Sequence, residues 1–161
     1  LPDGSMRRPL RPEDVEQASL DLIEKDPGEH LSVFRVADAL EADEVAAFFG
    51  ATCRDDPQPL DYILIPQECL EGFQVVEAPD EVLHPHLSRR HYEVIGIDKT
   101  NREALAQRIL QAAPLVQRVH ERELKKRVME MMKDTDPFGS YLRTGWRTSI
   151  EEAIGRSTGN T

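Results

Sequence analysis

The chain has 161 residues, 39% of them hydrophobic and 31% charged, and 30 acidic against 20 basic side chains give a net charge of −10. This is too apolar for a disordered chain, and no apolar run approaches the roughly 18 residues a membrane span needs. Two cysteines exclude a disulfide scaffold and suit a reducing, cytoplasmic setting.

Residues 1–5 precede Met6 and read as the remnant of a tag. No charged stretch followed by a short apolar run reads as a signal peptide. The spacing then predicts a helix over 12–25. Pro12 suits its first turn, Glu13, Asp14 and Glu16 suit its positive end, and Val15, Ala18 and Leu22 recur at helical spacing. Pro27-Gly28 stops it.

Residues 31–36 are short, β-branched and mostly apolar, so they read as a strand. Asp38 with Glu41 three residues on resembles a capping box, and a helix follows over about 39–49, with Gly50 as its C-cap. Residues 54–59 are a loop by composition. Tyr62-Ile63-Leu64-Ile65 is the strongest buried-strand signal in the chain, closed by Pro66. Strand, helix, strand in that order predicts a right-handed crossover and a parallel pair.

A short helix over 67–71 is stopped by Gly72, and 73–76 and 91–97 read as further strands around a loop at 77–90. Thr100 with Glu103 predicts a capping box for a helix carrying Leu105, Ile109 and Ala112. Pro114 kinks that helix or starts a new one. Over 121–133, Leu124, Val128, Met131 and Met132 share one side. Arg118, Arg122, Lys125, Lys126 and Lys133 share the other. Leu115 and Val119 fall on the basic side, so the segment breaks near 120 or is buried on two sides in turn. Asp136-Pro137-Phe138-Gly139 is a turn, and 140–154 reads as a last helix.

This order implies an α/β fold: a small mixed sheet of about four strands, flanked by helices, with a helical C-terminal region. The expected organisation is an α/β core over 6–99 and a helical region over 100–154, packed on the core or projecting. A loose tail over 155–161 follows. The expected core includes Val33, Phe34, Val36, Val45, Phe48, Tyr62, Ile63, Leu64, Ile65, Val94, Ile95 and Leu105.

Candidate chemistry is sparse. His84, His86 and His91 fall within eight residues beside several carboxylates, a ligand set that zinc, iron or manganese accepts. Arg89 and Arg90 are forks that suit a phosphate or carboxylate. Cys53 and Cys69 carry no nucleophile signature. No Gly-rich phosphate loop or dinucleotide fingerprint is present, and no cofactor is expected.

Charge is uneven along the chain. Residues 6–82 carry 19 acidic and 6 basic side chains, whereas residues 100–133 carry 4 acidic and 8 basic. The favoured reading is a small acidic cytoplasmic interaction or regulatory domain, non-enzymatic, that meets a protein partner or itself through Arg118, Arg122, Lys125, Lys126 and Lys133. One alternative is a metal-dependent or anion-binding enzyme built on His84, His86 and His91. Another is a nucleic-acid accessory protein using the basic face of 118–133. The surrounding acidic charge and the lack of interleaved aromatics weigh against nucleic acid.

Overall fold

The computed structural model of the chain describes residues 30–112 and 116–158. The predicted helix over 12–25, residues 1–5, Pro114 and Leu115 lie outside the described residues. In chain order the elements are β1 (Leu31–Phe34), α1 (Ala39–Cys53), β2 (Leu60–Tyr62), a 3-10 turn (Gln67–Leu70) and β3 (Gln74–Glu77). Then come α2 (Pro85–Ser88), β4 (His91–Ile95), α3 (Arg102–Ala112), β5 (Gln117–Val119), α4 (Glu121–Met131), a second 3-10 turn (Gly139–Tyr141) and α5 (Thr144–Thr158). The content is mixed α/β with a C-terminal helix, and the described strands form two small antiparallel sheets. One has the order β1-β4-β3, and the other pairs β2 with β5.

The parallel pair expected of β1 and β2 is therefore not formed. β1 pairs with β4, and β2 finds its partner in β5, a stretch for which the sequence predicted no strand. The reason lies in where the apolar side chains can go. Leu60 and Val119 are direct partners and both are buried, so the short ribbon has one apolar face. Ile63 and Leu64, the centre of the strongest predicted strand, are 36% and 39% exposed and follow β2 rather than forming it.

The chain divides into two compact units, each assembled from separate segments. One contains residues 30–33, 63–77 and 92–116, among those described. It holds most of β1 and β4, together with β3 and α3. The buried cluster among its described residues is Val94, Ile97, Leu105, Ile109 and Cys69. Gln74 to Glu77 pair antiparallel with Ile95 to Tyr92, which sets Val75 opposite the fully buried Val94. The capping expected from Thr100 and Glu103 falls elsewhere. Asp98 Oδ1 accepts from the Thr100 N–H at 2.7 Å, and Asn101 Oδ1 accepts from the Asp98 N–H at 2.9 Å. The side chains that satisfy this turn are thus Asp98 and Asn101, and α3 starts at Arg102.

The other unit contains 34–62, 78–91 and 117–158. Its centre is α1. Ala42, Val45–Phe48 and Gly50–Thr52 are all buried, which is the signature of a helix covered on nearly every side. Its start is as read: extended Asp38 accepts from the Glu41 N–H at 2.9 Å. The Glu41 carboxylate reaches back to the Ala37 N–H at 2.6 Å. Its end is not as read. Gly50 lies inside the helix, and a Cβ there would stand 2.8 Å from Leu124 Cδ2. The glycine lets α4 approach α1 closely, a packing role.

Leu124 and Val128 of α4, Phe138, and Leu142, Trp146 and Ile150 around α5 complete this core. The segment that looked two-sided is broken at His120: β5 ends at Val119 and α4 begins at Glu121. Asp136 Oδ1 accepts from the Phe138 and Gly139 N–H groups at 3.1 and 3.0 Å, building the expected turn that seats Phe138. α5 continues through Gly155 to Thr158, beyond the point where the sequence suggested a loose tail.

Candidate functional site

The histidine segment is organised by α1. Phe48 of α1 stacks on His86 with ring centroids 4.1 Å apart and an 11° tilt. It also meets His84 at 4.8 Å and Phe138 at 4.9 Å. His84 caps α2: its Nδ1 accepts from the His86 N–H at 3.0 Å. Nε2 then carries the proton and donates to the Pro137 carbonyl at 3.0 Å. Both nitrogens of His84 are committed, and burial holds its pKa below the usual histidine value.

His86 is more strongly affected. Arg89 donates to its Nδ1 at 3.2 Å, so Nε2 holds the proton and faces Glu44 Oε1 at 3.7 Å, beyond hydrogen-bond reach. Burial, then the positive charges of Arg90 and Arg89, push its pKa down to about 4. His86 is therefore neutral at physiological pH. His91 faces Phe34 at 5.5 Å and donates Nδ1–H to the Ala78 carbonyl.

The structure brings His84 and His86 together on Phe48 and gives His91 a separate backbone partner. No group of three His, Cys, Asp or Glu side chains among the described residues is placed to hold a metal ion. The two arginines also separate. Arg90 forms a short ion pair with Glu41 and donates to the His86 carbonyl at 3.2 Å, while Arg89 goes to the His86 ring. Arg90 thus ties α1 to α2 instead of facing a ligand alongside Arg89. The Ala37 N–H first, then Arg90, hold the Glu41 carboxyl below its ordinary range. Cys53 and Cys69 are free thiols.

The basic residues divide into two sets. Arg118 lies on β5 and forks onto Asp61 of β2 at 2.7 and 2.6 Å, so its charge is answered across the ribbon. Lys125 pairs with Glu121 one turn back at 2.8 Å. Arg122, Lys126 and Lys133 make no ion pair among the described residues. They stand along an open groove of about 1050 Å³ that α4 forms with α5. Met129 and Met132 of the α4 end, with Ile150 and Ile154 of α5, give the groove its apolar floor. Methionine is flexible and polarisable and accommodates varied apolar surfaces.

Sequence reasoning identified the cations but not the groove, because its second wall comes from α5. It also missed Arg127. This side chain turns inward to Asp43 at 2.8 Å and Glu123 at 3.2 Å. Asp43 also accepts from the Tyr62 hydroxyl at 2.8 Å. Burial and that bond push the Tyr62 pKa up to about 12. Arg127 therefore joins α4 to α1 and leaves the outward face to the other cations. Among the described residues, no helix is long and apolar enough to cross a membrane. No family model matches the chain, and no curated protein or solved structure matches it significantly.

Proposed function

We propose that the chain is a small cytoplasmic interaction domain of regulatory type, which receives an acidic amphipathic segment of a partner protein in the groove between α4 and α5. One observation carries this reading: Arg122, Lys126 and Lys133 make no ion pair among the described residues and stand beside a methionine-bearing apolar floor. A helix with one apolar stripe and flanking carboxylates answers both features, by burial along the floor and by charge along the rim. The two free thiols support a reducing compartment.

The test is titration of the full chain with a synthetic acidic amphipathic helix, followed by calorimetry. Binding should weaken as salt rises, because exposed charges are screened over about 10 Å at 0.1 M salt. The Lys126→Glu, Lys133→Glu double variant should lose about tenfold or more in affinity. Undetectable binding to the parent chain, or equal binding by the double variant, removes this reading.

A further inference from the structure

The chain carries a segment with the chemistry this groove selects. Residues 12–25, outside the described residues, hold Val15, Ala18 and Leu22 at helical spacing. They also hold Glu13, Asp14, Glu16, Asp21 and Glu24 against a single cation, Lys25, a net of −4. The groove is opposite in sign. Its charged lining is Arg122, Lys125, Lys126 and Lys133 against Glu121 and Glu130, a net of +2. The apolar stripe of the segment matches the apolar floor, and its carboxylates match Arg122, Lys126 and Lys133 on the rim, which make no ion pair among the described residues.

We infer that residues 12–25 of a second copy of this chain occupy the groove, so that the protein forms a reciprocal dimer through its own acidic N-terminal segment. This rests on the groove being a binding site, as proposed above. A second copy carries the same acidic segment and the same basic groove, so each chain answers the other's charge. Reciprocal exchange also makes the contact twice, doubling the buried area, and closes the assembly around a two-fold axis.

The dimer also regulates. An acidic partner segment must displace the resident one, so partner binding and dimerisation are mutually exclusive and each weakens the other. A partner that outcompetes the segment converts dimer to monomer.

Native mass spectrometry and sedimentation on the full chain at low ionic strength test this directly. The parent chain should be a dimer that dissociates as salt rises. The groove variant Arg122→Glu, Lys126→Glu, Lys133→Glu should be monomeric. The segment variant Glu13→Lys, Glu16→Lys, Glu24→Lys should be monomeric too. An equimolar mixture of the two should regain a dimer, because one reversed segment then faces one reversed groove. That rescue also shows that both variants fold.

A monomeric parent chain overturns the inference, even if hydrogen exchange shows residues 12–25 protected. A dimer that survives both sets of substitutions overturns it too. If the parent is monomeric yet binds the synthetic acidic helix, the dimer falls and the groove reading stands. If it binds neither, both fall.

Discussion

In the unit carrying α1, α4 and α5, the buried set is built on large rings: Phe48, Phe138 and Trp146, with Leu124 and Val128 between them. In the unit carrying β3, β4 and α3 it is aliphatic and small: Val94, Ile97, Leu105, Ile109 and the Cys69 thiol. Aromatic side chains bury roughly 150–250 Å² each and dominate core energetics. The first unit therefore has many contacts to lose before it fails. Among the described residues the second has a smaller buried cluster, so each of its members carries a larger share of that cluster's burial. The candidate groove sits entirely on the ring-filled unit, where α4 and α5 are held from behind by Leu124, Val128 and Trp146.

The largest break in that comparison should come from Trp146→Ala. Its ring is fully buried on α5, and the loss should be about 3–5 kcal/mol by chemical denaturation. The groove should disappear with it, since α5 supplies one wall. Leu105→Ala should cost about 3 kcal/mol, expressed differently. Native-state hydrogen exchange should show β3, β4 and α3 opening while α1 stays protected. Equal loss of protection in both sets of elements would show that the two cores fail together.

Gly50→Ala tests the close approach of α1 and α4. Alanine is the better helix former by about 1 kcal/mol. The new methyl meets Leu124, however, and overpacking typically costs about 1–3 kcal/mol. Net destabilisation is expected, and a gain would mean that Leu124 yields freely.

His86 sharpens the comparison by pH. Its folded pKa, near 4, lies below the ordinary histidine value of 6.5. The unfolded chain therefore binds the proton first as pH falls. The stability owed to neutral His86 is complete above pH 6.5 and declines towards pH 4. The decline should be of order 1 kcal/mol after allowing for solvent screening. His86→Phe keeps a ring on Phe48 and should flatten the stability profile between pH 6.5 and 4. The unchanged steepness of the parent profile would assign that loss to other groups.

The smallest effect is expected at Ile63. A central-strand isoleucine cut to alanine would cost about 2–5 kcal/mol. At 36% exposure and outside any strand, it should cost under about 1 kcal/mol.

Local signals were legible where a residue's partner is a near neighbour in sequence. The Asp38 cap, the Asp136 turn and the buried face of Leu124 and Val128 all depend on residues within a turn or two. Non-local pairing was not legible. Tyr62-Ile63-Leu64-Ile65 has strong strand propensity, but a strand needs a partner, and β5 reaches only as far as Tyr62. Likewise, a helical wheel through residues 118–133 assumes one continuous helix. The break at His120 moves Arg118 onto a sheet edge, where Asp61 answers it.

The amino-acid sequence by itself determined the α/β content, most helix positions, the uneven charge and the cations Arg122, Lys126 and Lys133. Periodicity, capping chemistry and formal charge are properties of short windows of chain. Tertiary structure alone decided which strands pair, which histidine keeps which proton, and which cations pair with a carboxylate among the described residues. Those outcomes depend on residues far apart in sequence, such as Arg127 with Asp43 and Arg90 with Glu41. The groove belongs to this second kind, because α4 brings the charge and α5 the second apolar wall.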